Sequence, residues 1–200
     1  MELSVLRQYA EENYIPILQK PTEKILIDVL KKEQPKSVLE IGTALGYSGS
    51  IILNNSSAHL TTIEINKERF DFAKNTFYEQ NLNKRVTQIL GDANEVLTTL
   101  SGPFDFIFLD GPKGQYLKEL PYIYNLLTPN GTLFADNIYY HGWVKGDAYP
   151  THKHRTAILR LREFIAKCKE LFPNATFLDD GDGIMTVSYT HLTLPTIRLV

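Results

Sequence analysis

Gly42, Gly46 and Gly49 follow a short apolar run, in the segment Glu40-Ile41-Gly42-Thr43-Ala44-Leu45-Gly46-Tyr47-Ser48-Gly49. Glycine at such a turn lets the backbone bend tightly and approach a ligand where a Cβ would collide. The spacing is not Gly-x-Gly-x-x-Gly, so the strict dinucleotide fingerprint is missing. Glu64 ends the next β-rich run. In doubly wound folds an acid at that position accepts hydrogen bonds from ribose hydroxyls; a solvated strand-end acid is the plainer alternative. Gly91-Asp92-Ala93 closes a third run. The short acid and small residue suit the edge of an adenine pocket, although Asp92 serves equally well as a helix N-cap. Three successive strand ends bearing these groups point to an adenosine-containing ligand at the carboxyl edge of a sheet.

The elements that must hold these residues are visible as alternating β-rich and helical segments. Strands are expected at Ser37–Ile41, His59–Ile65, Val86–Leu90, Phe104–Asp110 and Thr132–Asp136. Helices are expected between them, at about Ser48–Asn54, Lys67–Asn81, Ala93–Leu100 and Gln115–Leu127. Such alternation implies right-handed crossovers and a parallel sheet covered on both faces. Two further helices, Leu3–Asn13 and Thr22–Lys32, precede the unit, separated by Ile15-Pro16, where proline blocks continuation. After it, Ile158, Leu161, Ile165, Cys168 and Phe172 recur at helical spacing. Ala175–Leu178 and Ile184–Ser188 flank Asp179-Asp180-Gly181-Asp182-Gly183, a hairpin turn. The expected fold is therefore α/β: a doubly wound, mostly parallel, seven-stranded sheet with one antiparallel strand from a C-terminal hairpin. Residues 1–188 form one domain, with 1–34 as an N-terminal helical cover, and 189–200 read as a non-native tail.

The whole composition agrees with a single globular domain. Of 200 residues, 43% are apolar and 22% charged, with 21 basic residues against 23 acidic. A net charge of −2 excludes a protein that holds nucleic acid by bulk charge alone, but not a local basic patch. One cysteine, Cys168, has no internal disulfide partner and suits a reducing compartment. No run approaches the roughly 20 apolar residues of a membrane span, and the first residues form no signal peptide. A soluble, cytoplasmic protein with no membrane partner is expected.

Motifs at 40–48, Thr-Ile-Glu at 62–64 and Gly-Asp-Ala at 91–93 resemble the S-adenosylmethionine site of class I methyltransferases. Phe106-Ile107-Phe108-Leu109-Asp110-Gly111-Pro112-Lys113-Gly114-Gln115-Tyr116 and Ala135-Asp136-Asn137 narrow the resemblance. They are similar to the cation-dependent O-methyltransferases related to catechol O-methyltransferase. The resemblance implies cofactor contacts from Leu18, Glu40, Gly42, Gly46, Tyr47 and Ser48, and further along from Glu64, Asp92, Ala93 and Asp110. It also implies a metal held by Asp110, Asp136 and Asn137. Two carboxylates and an amide oxygen make a hard, all-oxygen partial shell, better suited to Mg²⁺ than to Zn²⁺. Asp110 and Lys113 are the implied catalytic residues, Lys113 as a general base whose pKa must then be depressed; a solvated loop lysine is the alternative. Tyr116 and Trp143 either line the site or pack. His141, His152 and His154 lack metal-binding spacing and read as solvated loop residues.

Within that family the chain looks most like short bacterial enzymes that methylate 5-hydroxyuridine at the wobble position of tRNA. Tyr9–Leu18, the run 112–116 and Gly181-Asp182-Gly183 carry this likeness, with Pro112 in place of the usual alanine. The vicinal 5-hydroxyl and 4-carbonyl oxygens of that base can chelate one cation as a catechol does. The implied partners are a tRNA anticodon loop, or otherwise a small vicinal-oxygen acceptor, and a second copy in a homodimer. Lys145, Lys153, Arg155, Arg160, Arg162, Lys167 and Lys169 form a basic segment that either grips phosphates or is simply solvated. A Rossmann oxidoreductase is a more distant alternative, disfavoured by the glycine spacing.

Overall fold

The computed structural model describes residues 1–146 and 152–188. Five strands are parallel: β1 (Ser37–Ile41), β2 (His59–Glu64), β3 (Val86–Leu90), β4 (Phe104–Leu109) and β5 (Leu127–Ala135). A C-terminal hairpin of β6 (Thr176–Leu178) and β7 (Ile184–Ser188) completes one sheet in the order β3-β2-β1-β4-β5-β7-β6. β7 runs antiparallel to both of its neighbours, so it is the reversed strand that the hairpin turn implied. The tail 189–200, Asp147 and the side chains of His152 and Lys153 lie outside the described residues.

β4 shows why the sheet must be covered on both sides. Successive strand residues face opposite ways, and from Phe106 to Leu109 both sets are apolar and buried. Ile107 and Leu109 join a core with α6 (Tyr116–Leu126) and α7 (His152–Leu171); Phe106 and Phe108 join another with α2 (Lys20–Glu33) and α3 (Tyr47–Asn54). α1 (Leu3–Glu12) and α4 (Lys67–Glu79) complete that second layer through Leu6, Ala10, Ala73 and Phe77, while α5 (Ala93–Thr99) adds Leu97 to the first. The stripe on α7 is inward as its spacing required: Ile158, Leu161 and Cys168 are fully buried.

β5 begins earlier than its composition suggested. Leu127 pairs with Phe104, the ladder then breaks, and regular pairing resumes at Thr132 opposite Phe106. Residues 128–131 bulge out, with Asn130 in the left-handed region at φ 67°. A short 3₁₀ turn, Asn83–Arg85, was also not anticipated. Arg85 ties its loop down through the carbonyls of Leu53, Ser56 and Ala58 at 2.7–3.2 Å.

Phe134 stacks on Phe106 at a ring separation of 6.3 Å and meets Phe108 at a tilt at 5.6 Å, with no solvent exposure. Truncating it leaves a cavity that rigid neighbours cannot fill. Phe134→Ala is expected to cost about 3–5 kcal/mol, read as a lowered midpoint in denaturant unfolding with the slope unchanged.

Candidate active site

The sheet order fixes the order of the polar groups along its carboxyl edge. Reading across, Gly91 and Asp92 follow β3, Glu64 ends β2, Gly42 follows β1, Asp110 follows β4, and Asp136-Asn137 follow β5. Between β2 and β4 the chain direction of winding reverses at β1, and such switch points open a crevice. The crevice here is a cavity of about 720 Å³. At about 4.8 Å per strand, its floor from β3 to β5 is about 19 Å long, long enough for a nucleoside carrying a side chain.

Gly42 makes this edge possible. Its φ is +102°, and a Cβ there would lie 2.6 Å from the Asp110 carbonyl oxygen. Only glycine permits that conformation together with that approach. The Gly42 and Thr43 amides both donate to the Ile63 carbonyl at 3.1 and 3.2 Å, and Asp110 donates to Ile41 at 3.0 Å. The turn is thereby pinned to the strands on either side. Glu64 is held in place by two backbone donors, Ala44 at 2.9 Å and Asn66 at 2.8 Å. Asp92 takes the N-cap role and also faces the cavity. It caps α5 by accepting from the Asn94 amide at 2.8 Å, and it lines the cavity with Ala93.

Not every residue of the glycine motif faces the cavity. Leu18, Gly42, Tyr47 and Ser48 line it, but Glu40 and Gly46 do not. Glu40 is fully buried beneath the loop, accepting from Ser48 at 2.5 Å and Thr62 at 2.6 Å. It braces the turn rather than facing a ligand. Gly46 is glycine for a packing reason: its φ is +80° and a Cβ would press on the Phe77 ring at 3.1 Å. Leu18 is positioned by a network that no motif announced. Arg7 donates to the Leu18 carbonyl at 2.9 Å and to Glu23 at 2.6 Å; the Tyr47 hydroxyl also donates to Glu23.

At the other end, Asp110, Lys113, Asp136 and Asn137 line one wall. The Tyr116 hydroxyl shares its proton between the Leu109 and Asp136 carbonyls at 3.0 and 3.1 Å, tying the ends of β4 and β5 together. Tyr116 has no solvent exposure and is absent from the cavity lining, so it packs. Trp143 is likewise outside the lining, in ring contact with Tyr140, His141 and His154. His154 is not a solvated loop residue; its Nδ1 meets the Tyr140 hydroxyl at 3.0 Å.

Lys113 departs from its expected state. Its Nζ donates to Asp110 at 2.7 Å and to the Tyr116 hydroxyl at 2.9 Å. Burial pulls the ammonium pKa down, but Asp110 and Tyr116 outweigh it, and the net shift is upward. Lys113 is thus held as an ammonium, opposite to what a general base requires. Asp136 is pushed up, first by burial and then by the Asp110 charge. A buried Asp136 carboxyl driven towards protonation beside the Asp110 charge forms a site that a cation would relieve. Among the described residues no three His, Cys, Asp or Glu side chains form a ready-made cage. The donor set is the two acids plus the Asn137 amide, whose residue sits at φ 54° in the left-handed region. These groups fit a hard divalent cation completed by water and acceptor oxygens.

Residues 2–189 match the O-methyltransferase family, and the chain belongs to it. A structure from Staphylococcus aureus bearing the provisional name caffeoyl-CoA O-methyltransferase is 29% identical, with a TM-score of 0.85 over 94% of this chain and 92% of that one. An O-methyltransferase of Bacillus cereus, solved with S-adenosylhomocysteine, is 25% identical with a TM-score of 0.80, covering 93% and 90%. Bovine catechol O-methyltransferase is 30% identical over 128 residues, 60% of this chain and 47% of that one. With this fold, the protein is an S-adenosylmethionine-dependent O-methyltransferase. No helix among the described residues is long and apolar enough to cross a membrane.

Burial raises the Glu40 carboxyl to about 7, against the hydrogen bonds from Ser48 and Thr62 that lower it. The folded state therefore holds a proton that the unfolded chain has lost above its ordinary value of 4.5. Stability from this group is full below that value and falls as pH rises through about 7. Glu40→Gln should flatten that fall. Melting temperatures of both proteins between pH 4.5 and 8 check it, with the gap between them widening in favour of the variant as pH rises.

Proposed function

We propose that the protein transfers a methyl group from S-adenosylmethionine to one of two vicinal oxygens of an acceptor held against a divalent cation, with wobble 5-hydroxyuridine of tRNA as that acceptor. The observation that carries the cation-assisted part is the placement of Asp110, Asp136 and Asn137 at adjacent strand ends, across the cavity from Glu64 and Asp92. When bound, the cofactor supplies an electrophilic methyl and the cation lowers the acceptor hydroxyl pKa. Glu64 would fix the ribose end and Asp92 the base end, which aims the sulfonium end towards the acids. Asp110, Asp136 and Asn137 would hold the cation. Lys113 would hold Asp110 in place as its charged partner, and the acceptor's proton would leave to solvent.

The tRNA reading is supported by the sequence likeness at Tyr9–Leu18, 112–116 and 181–183. It is also supported by Tyr140 and His141, which line the acceptor end and are only partly buried or exposed, as a base-stacking surface requires. The basic helix contributes less than its charge suggested. Arg160 donates to the Gly114 carbonyl at 3.0 Å, and Arg162 to the carbonyls of Val144, Trp143 and Gly146. Both hold loops at the cavity rim. The likeness to bovine catechol O-methyltransferase favours a second reading, a small catechol-like acceptor.

Asp136→Ala should lower methyl transfer by about a hundredfold or more while S-adenosylhomocysteine affinity changes little. Chelator should abolish transfer in the native protein and Mg²⁺ restore it. Full activity in excess chelator contradicts the cation. Transfer of radiolabelled methyl to 5-hydroxyuridine-containing tRNA and to a catechol, compared in parallel, decides the acceptor: turnover of the catechol with none of the tRNA selects the second reading.

A further inference from the structure

Glu119 is a buried acid that the methyl-transfer scheme does not use. It sits in the first turn of α6, 1% exposed, and lines the cavity beside Asp92, Asn94 and Gln115. Neither of its carboxyl oxygens has a hydrogen-bond partner, and both are shut off from solvent. The Asn94 Oδ1 is in the same condition, although its amide nitrogen donates to Asp92 at 2.9 Å and to Gln115 at 3.4 Å. A buried polar group left unpaired costs stability that a native chain rarely gives up without a use. Here two such groups converge on one end of one cavity, beyond Glu64 along the edge.

A ligand that satisfied them would donate hydrogens to the orphaned oxygens and, with a proton on Glu119, offer one lone pair to accept it. The Watson–Crick edge of adenine does this, with an amino group at C6 next to an acceptor nitrogen at N1. A carboxylic acid matches that edge with two parallel hydrogen bonds, its carbonyl oxygen accepting from N6–H and its O–H donating to N1. We propose that Glu119 joins Asp92 at the base end of the cofactor and reads the adenine edge, as a protonated carboxyl paired to N1 and N6, with Asn94 Oδ1 accepting the second N6 hydrogen. This deepens the cofactor assignment and rests on it.

The surroundings support a proton on Glu119. Burial and the nearby Asp92 raise its pKa to about 7, while Lys113 and Lys118 act in the opposite direction. The structural alternative is a buried acid with no ligand role. It predicts that Glu119→Leu stabilises the protein and leaves cofactor affinity unchanged, because an orphan polar group is removed and nothing is lost.

Calorimetric titration with S-adenosylhomocysteine, and with the analogue in which ring N1 is replaced by C–H, separates these cases. The native protein should bind the analogue about tenfold more weakly than the parent compound, one hydrogen bond in a desolvated site. Glu119→Leu should bind the parent about tenfold or more weakly and no longer distinguish the two compounds. Glu119→Gln keeps one donor and one acceptor on the same frame, so it should bind within about threefold of native and still distinguish them. Native-like parent affinity in a folded Glu119→Leu, or an unchanged preference between the compounds, overturns the proposal. If Glu119→Leu does not fold, the glutamine variant and the native protein's own preference decide it: a native protein indifferent to N1 refutes the pairing. Failure of the native protein to bind S-adenosylhomocysteine at all would instead refute the cofactor assignment beneath it.

Discussion

The site depends on one close approach, the Gly42 backbone against the Asp110 carbonyl. A Cβ at Gly42 would sit 2.6 Å from that oxygen, so the turn after β1 can lie against the end of β4 only because the side chain is missing. That contact makes the carboxyl edge continuous. On one side lie the backbone-held Glu64 and the cap residue Asp92; on the other lie Asp110 and Asp136.

Around this contact the protein spends buried polar groups freely. Glu40 supports the glycine turn from beneath, Tyr116 joins the ends of β4 and β5, and Arg7 draws the Leu18 segment over the cavity. Each would be costly if unpaired, and each is paired to a part of the edge that must not move. Two acids that burial raises, Asp136 and Glu119, face the cavity itself. Glu119 and Asn94 leave orphaned oxygens on the ligand surface, whereas away from it, among the described residues, only Gln80 Nε2 is buried without a partner. That contrast is expected where binding completes the electrostatics.

Most of the fold was legible because its signals are local. β4 reads Phe-Asp-Phe-Ile-Phe-Leu, nearly continuous apolar residues that only a strand covered on both faces tolerates. The start of β5 was not legible, since Leu127 joins the sheet ahead of a bulge that Pro129-Asn130-Gly131 disguises as a loop. In the site, strand ends were legible and side-chain directions were not. Glu40 and Gly46 belong to the same motif as Gly42 and Ser48, yet alternation along β1 sends Glu40 under the turn, and Phe77 from a distant helix claims the space at Gly46. Lys113 could not be assigned from sequence, because its charge state depends on Tyr116 and Asp110 meeting it across a turn. Glu119 gave no signal. An acid in the first turn of a helix ordinarily serves the helix dipole at the surface, and only the packing of α5 against α6 shows it buried.

The account stands on a single continuous cavity, with adenosine at the β3–β2 end and the acid pair at the β4–β5 end. A crystal structure of the protein grown with S-adenosylhomocysteine and Mg²⁺ tests this most directly. The account predicts ribose hydroxyls on Glu64, the sulfur facing Asp110, and a cation bound by Asp110, Asp136 and Asn137. A nucleoside lying elsewhere, or a cation bound away from those three residues, would contradict it.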